Sequence, residues 1–545
     1  MATVGEAPGL FLRKATGLVK GWSKFDAFLY SFMSVNFVTL GLFFALSVLA
    51  FVPTGQVLPA LLISGVFVTF LVVTYAGLIS VMPRAGGDYV WQSRVLSPGI
   101  AFLLAVTGWW FILWYWAPVY ANILNVEVFQ PLAAIFKWEG LSTFLASKNG
   151  LFTVCLITVL LAGFLVSLGM EGYARVQKVC FYLGILGLGV ILLVMLFGSR
   201  SGFQSAFNQE STNLFGVNNA YQGTIATAAK ANGGAIVPNL GFSPFFGPTL
   251  LLIPFLCFWI LWPNWGATLY GEVRGASDFK RVMGGMMYGL WVTVFIAVLF
   301  ILLATKFFGW QFFNAANLNY WDVVYGVIPK APIPLWPHPP FLVGMYFHNS
   351  AISALLILVF GAWFIGWAGT LFLSSTRVIF AAAFDRILPE KVAEVSEKRH
   401  VPVWALILML VPSVVVSALF AYTSKFATYI LDATLVIALT FFGTSIAAMI
   451  LPWRRKHLYQ NSPISKYKVA GIPLITIAGA ITGAFLGWNL FQWFSNSLYA
   501  INNKESLIFL GAMYLLALVI YVVAKVYRQR QGIDLNAVYR EIPVE

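Results

Sequence analysis

Two apolar runs of this chain are interrupted by residues that could bind a small polar solute. The first interruption is Ser34-Val35-Asn36-Phe37-Val38-Thr39-Leu40-Gly41, and the second is Trp262-Pro263-Asn264-Trp265-Gly266. Proline removes a backbone donor and clashes with the preceding turn. Glycine and asparagine tolerate backbone conformations that other residues avoid. Inside a bilayer each freed N–H or C=O costs several kcal/mol unless something satisfies it. A half-helix that begins there points N–H groups and a positive dipole end at a carboxylate. Free carbonyls at the end of the other half suit an ammonium or a metal cation. A zwitterionic amino acid presents both charges, so the chemistry expected is binding rather than bond making.

Aromatic residues flank these positions. Phe37 lies within the first interruption, and Phe258, Trp259, Trp262 and Trp265 surround the second. They are expected to wall or gate a pocket by stacking on an apolar side chain or a cation. A further cluster, Trp109, Trp110, Phe111, Trp114, Tyr115 and Trp116, suits helix packing or an interfacial belt. Trp363 and Trp367 are weaker candidates for the same lining. Asp432 is an acidic residue inside an apolar run (Ile430-Leu431-Asp432-Ala433-Thr434), which makes it a candidate for proton-linked coupling or gating.

The elements that must position these residues follow from hydropathy. The chain has 545 residues, 60% hydrophobic and 10% charged, with a mean hydropathy of +0.84. A soluble domain carries about 25% charged residues. A membrane span needs about 20 apolar residues. Twelve stretches meet that requirement, near 25–51, 57–82, 96–124, 151–170, 178–198, 248–271, 284–307, 349–382, 402–421, 427–452, 470–495 and 506–526. The interruptions fall in the first and sixth, which are matching places in two five-helix halves. Paired interruptions of this kind point to a transporter's binding site. The expected division is a cytoplasmic segment 1–24, a transmembrane domain 25–526 and a cytoplasmic tail 527–545. Within the domain, one repeat covers about 25–198, a second about 248–452, and two extra helices about 470–526.

The net charge of +14 does not signal nucleic acid. Of 33 Lys and Arg, 25 fall in or beside the segments on the side of the termini, as the positive-inside rule expects for cytoplasmic ends. The long segments 199–247 and 308–347 then lie outside. The first is rich in Asn, Gln, Ser, Thr and Gly, and the second carries the proline run 331–340. Both read as surface connections, or as a partial cover over an outer vestibule. The basic start of the tail suits a juxtamembrane contact with anionic lipid.

Enzyme signatures are sparse. Cys155, Cys180 and Cys257 form no close pair, and His338, His348, His400 and His457 show no metal-binding spacing. No Gly-Lys-Ser/Thr phosphate cradle occurs. No cofactor is expected. The acidic residues between Glu390 and Arg399 read as a solvated loop.

Several loop motifs complete the picture. They are Met82-Pro83-Arg84-Ala85-Gly86-Gly87-Asp88-Tyr89-Val90-Trp91, Gly172-Tyr173-Ala174-Arg175-Val176-Gln177, Tyr270-Gly271-Glu272-Val273-Arg274 and the run Ser375 to Pro389, followed by Val401-Pro402-Val403. In order and spacing the chain resembles the amino acid/polyamine/organocation permeases over about residues 20–455. The resemblance implies an all-α protein of twelve helices in a LeuT-like five-plus-five inverted repeat with helices one and six broken. It also implies a secondary transporter of the plasma membrane that works by alternating access. Substrate-site residues by that reading are Ser34, Asn36, Phe37, Thr39, Gly41, Phe258, Trp259, Trp262, Pro263, Asn264, Trp265 and Gly266.

The chain departs from the family pattern in two places. Thr39-Leu40-Gly41-Leu42-Phe43 stands where members carry Gly-Ser-Gly-Ile/Val-Phe, and Trp262-Pro263-Asn264 where many carry Gly-x-Glu. Some proton-linked members place a lysine on span five. The corresponding place here is near Gly184, and Lys178 reads as too close to the cytoplasm to substitute. Sodium-linked relatives use hydroxyls on span eight, which Thr370, Ser374 and Ser375 would supply. Coupling to Na+ or H+ and exchange stay open as alternatives, with Asp432, Trp114 and Trp363 as further coupling or gating candidates. The other readings are a ligand-binding membrane sensor without flux and an intramembrane enzyme.

Overall fold

The computed structural model describes residues 18, 20–45, 47–234, 240–243, 245–423, 426 and 429–539. Arg13, Lys14, most of the segment 1–24 and the end of the 527–545 tail lie outside the described residues.

Among the described residues, twelve helices are long and apolar enough to cross a membrane. In chain order they run Lys24–Phe43, Val57–Val81, Pro98–Ile135, Lys148–Ser167, Gly169–Phe197, Pro248–Glu272, Phe279–Val324, Ser350–Phe384, Val403–Tyr422, Ile430–Arg454, Leu474–Ser495 and Lys504–Arg530. At 1.5 Å per residue, the shortest of these still reaches about 30 Å. Among the described residues the strand content is one antiparallel pair, Lys468–Val469 with Ile472–Pro473. The core is nearly continuous through the bundle and is rich in indole rings, Trp22, Trp91, Trp109, Trp116, Trp259 and Trp262 among them.

Four span ends differ most from the hydropathy reading: span one ends at Phe43 instead of 51, span five starts at Gly169 instead of 178, and spans three and seven run longer. Span three continues to Ile135 instead of stopping near 124, and the helical run of span seven continues to Val324 instead of 307. In both, the added turns carry polar residues, so hydropathy ended before the helix did. The long segments are more than surface connections. The first contains helices Arg200–Phe215 and Ala220–Ala231, and the second contains Trp310–Val324 and Pro339–Met345. Ser199 caps the first of these helices by accepting from the Gly202 N–H, and Gly216 ends it in a left-handed turn. The two segments pack on each other. Tyr221 stacks on Phe312 at 4.3 Å, and Asn319 Nδ2 donates to the Thr224 carbonyl at 2.8 Å. Trp336 and Trp321 then lie against Phe43 at the end of span one, at 4.9 and 5.8 Å.

The opposite face carries the described ends of the chain and is stitched by backbone. Trp22 N–H donates to the Glu272 carbonyl and Arg274 N–H to the Trp22 carbonyl. Span one starts with a capping box, Ser23 with Asp26. Between spans two and three a short helix, Gly87–Val95, lies on this face. Gly86 has φ +95° and donates its N–H to the Thr268 carbonyl at 2.9 Å. A Cβ on Gly87 would meet the Ala267 carbonyl at 3.0 Å, so the glycine pair is what lets this helix dock under span six.

Candidate functional site

In span one the α-helix Lys24–Val35 ends at Asn36, which sits in the left-handed region at φ 52°, ψ 57°. Asparagine visits that region more readily than most residues because its short side chain can bond locally. Its Oδ1 accepts from Thr39 N–H at 3.3 Å and from Thr39 Oγ1 at 2.7 Å. The chain then winds more loosely over Phe37–Ala45, with Gly41 N–H donating to the Asn36 carbonyl. Gly41 is a close-approach position: a Cβ there would lie 2.8 Å from the Phe37 ring and 3.3 Å from Trp259. Ser34 bonds its own helix, donating to the Tyr30 carbonyl.

Span six is α-helical over Ile253–Ile260, leaves that geometry from Leu261 to Asn264 and resumes as a tighter 3₁₀ turn at Trp265–Glu272. Span one contacts this segment directly. Ser31 Oγ donates to the Pro263 carbonyl at 2.6 Å, and Gly266 lets the backbone approach Tyr30, whose ring would lie 3.2 Å from a Cβ there. From span eight, Ser374 Oγ donates to the Trp265 carbonyl at 3.1 Å and also meets the Tyr30 hydroxyl at 3.0 Å. Freed carbonyls are therefore partly satisfied by side chains.

Among the described residues, the side-chain amides of both interruptions are left incompletely satisfied. Asn36 Nδ2 and both amide atoms of Asn264 are buried without a hydrogen-bond partner. Such a group costs about 1–3 kcal/mol left unmet. Residues 31–43 and 259–273 are all buried, so the region is closed to bulk solvent.

Aromatic rings line it. Trp116 stacks on Phe258 at 5.0 Å and meets Trp262 edge-on at 5.9 Å. Trp262 meets Trp265 at 5.4 Å, and Trp265 meets Trp109 at 4.8 Å. Trp262 Nε1 is held by the Phe258 carbonyl, and Trp265 Nε1 by that of Thr370. Trp259 faces Phe37 at 5.9 Å with its indole N–H unpartnered. Tyr120 reaches Thr39 Oγ1 at 3.4 Å and packs on Trp367 at 3.9 Å.

Other candidates lie elsewhere or serve their own helices. Thr370 and Ser375 hydroxyls bond the Trp367 and Leu371 carbonyls. Trp114 donates to Leu408 on span nine. Trp363 packs between Phe32 and Phe181, and its ring fills the place beside Gly184, where a Cβ would come within 2.4 Å. Asp432 is buried in the first turn of span ten, accepting from Ser506 Oγ at 3.1 Å. Sequence reasoning passed over Tyr30, Ser31 and Tyr120. Tyr120 carries a faint signal, one turn beyond Trp116 on the same helix face; Tyr30 and Ser31 carry none, because their partners lie more than 200 residues away.

Among the described residues, ion pairs on the terminal face join different elements. Arg377 grips Glu272 bidentately at 2.7 and 3.0 Å, Arg94 grips Asp385 at 2.5 and 2.8 Å, and Lys178 meets Asp26 at 2.6 Å. Lys178 thus ties span five to span one.

A protein-family model described as amino acid permease matches residues 25–523 of the chain. No curated protein matches it.

Proposed function

We propose, on the premise that the chain belongs to the amino acid permease family, that it is a secondary transporter of amino acids or related small amines in the plasma membrane. The family has the LeuT-like fold, and the twelve spans agree with it. Both termini face the cytoplasm in this reading. Substrate sits where spans one and six touch and is delivered by rocking one helix group against the other. The observation that carries the reading is a set of buried amide atoms without partners, Asn36 Nδ2 and both atoms of Asn264, beside backbone that has left α-helical geometry. A small solute with both donors and acceptors supplies what those groups lack. No charged side chain takes part in either interruption, which favours neutral substrates over strongly cationic ones.

The test is uptake by the reconstituted protein of a panel of labelled amino acids and amines, with and without sodium and a pH gradient. Asn264→Ala and Gly41→Leu are expected to abolish uptake while membrane insertion stays intact. Unchanged uptake in both variants rejects the site. Binding without flux identifies a sensor instead.

A further inference from the structure

The helix Gly87–Val95 presents Asp88 upward into the bundle, where it is fully buried. Three side chains from three spans converge on its carboxylate. Tyr75 of span two donates its hydroxyl to Oδ1, Thr444 of span ten donates to the same oxygen at 2.5 Å, and Trp109 of span three donates its indole N–H to Oδ2 at 2.9 Å. Among the described residues no cation faces it. Glu272 of span six and Arg377 of span eight are paired with each other, Arg94 at the far end of the same helix is paired with Asp385, and Tyr75 is the titratable neighbour. A buried carboxylate without a cation is a costly charge, and binding a proton is the simplest way to remove it. Burial pushes this carboxyl up to about 6, with the Thr444, Tyr75 and Trp109 bonds opposing the rise.

We propose that Asp88 is the proton-binding group of this transporter, loading and releasing the proton that drives the substrate step at span six. This rests on the permease reading above. The link to span six is in the geometry. A proton on Oδ1 makes that oxygen a donor, so Tyr75 or Thr444 must turn its own hydroxyl proton elsewhere and accept instead. Thr444 Oγ1 already accepts from Gln92 Nε2 at 2.8 Å and has a second lone pair to accept the proton of Oδ1. The Tyr75 hydroxyl faces the Asn264 amide, short of hydrogen-bond geometry, and completing that bond would occupy one of the groups offered to substrate. A proton on Oδ2 instead opposes the Trp109 indole, which can only donate. Trp109 packs edge-on against Trp265, so its release moves a wall of the pocket. Either position of the proton reaches the interruption in span six.

The experiment uses the full chain in liposomes, loaded against a labelled mixture of the common amino acids, with an inside-alkaline pH gradient. One proton per cycle raises accumulation about tenfold per unit of gradient. Asp88→Asn is expected to bring that factor to about one. Tyr75→Phe removes a donor to the charged form, so the midpoint of the pH profile is expected to move up by about one unit. Infrared difference spectra taken across pH 5 to 8 read the carboxyl directly, without flux, and a band present in the parent and missing in D88N is expected. Gradient-driven accumulation by D88N equal to the parent's overturns the proposal, as does a carboxyl band that survives the substitution. Uptake by the parent that ignores the gradient overturns it while leaving the permease reading intact. No uptake of any substrate defeats the permease reading, and the infrared result then decides whether Asp88 binds a proton.

Discussion

The two faces of the bundle are closed by different chemistry. On the face that carries the described chain ends, Arg377–Glu272, Arg94–Asp385 and Lys178–Asp26 cross between spans or their linkers. On the opposite face the closure is ring on ring, Phe43 with Trp336, Phe51 with Phe255 at 5.1 Å and Tyr221 with Phe312. An ion pair pulled open into water recovers the hydration it lost on burial, so its net cost of opening is small. Aromatic surface exposed to water recovers nothing, and each Å² costs about 25 cal/mol. On these grounds opening costs less at the face with ion pairs, while at the ring-packed face the cost grows with the area exposed.

The largest effect is expected where that distinction is sharpest. Arg377→Ala leaves Glu272 buried and unpaired, and a loss of about 3–5 kcal/mol is expected. Replacing both partners, Arg377→Met with Glu272→Gln, is expected to restore most of it. Thermal unfolding of the purified protein reads the difference, and a double variant as unstable as R377A contradicts the comparison. Trp336→Ala on the other face is expected to cost about 3 kcal/mol, with no partner change that repairs it, because the loss is a cavity and not an orphaned charge.

Next in size is a pH effect at the ring-packed face. His338 is buried beneath Trp336 with Nε2 3.5 Å from Glu127 Oε2, and among the described residues neither side chain has a hydrogen-bond partner. Burial holds the imidazole down at about 3, against an ordinary 6.5. Between those values the unfolded chain binds a proton that the folded chain does not. The contribution of His338 to stability therefore falls as pH falls through that window, by about 1.4 kcal/mol per unit. His338→Gln is expected to flatten the acid side of the stability curve, over about 2 kcal/mol between pH 6.5 and 5. An unaltered slope means that the imidazole is not buried in its neutral form.

How much of this was legible in the sequence depends on the kind of interaction. Continuous apolar runs gave the twelve spans, since a bilayer imposes length and composition directly. Asn36 and Pro263 stood out for the same reason, as residues foreign to their runs. The helices at 200–231 were hidden because they are polar, although Ser199 and Gly216 mark both ends of the first. The ion pairs were hidden because Arg377 and Glu272 lie 105 residues apart in separate motifs. Asp88 was visible as part of Gly86-Gly87-Asp88-Tyr89, yet nothing local says that the glycines tuck it under span six. Side-chain partnership across the bundle is set by packing, and no spacing rule carries it.

The smallest effect expected sharpens the comparison from the other side. His348 Nδ1 meets Glu210 at 2.8 Å, an ion pair on the ring-packed face, but His348 is 42% exposed. Water already solvates both groups and salt screens them, so such pairs contribute about 0.5 kcal/mol or less. Glu210→Gln is expected to shift thermal unfolding by an amount near the error of the measurement, and added salt to change the parent as little. A loss comparable to that of R377A would show that the ring-packed face also depends on charge. The asymmetry between the faces would then lie in burial alone, and exposed area would decide which of them opens more cheaply.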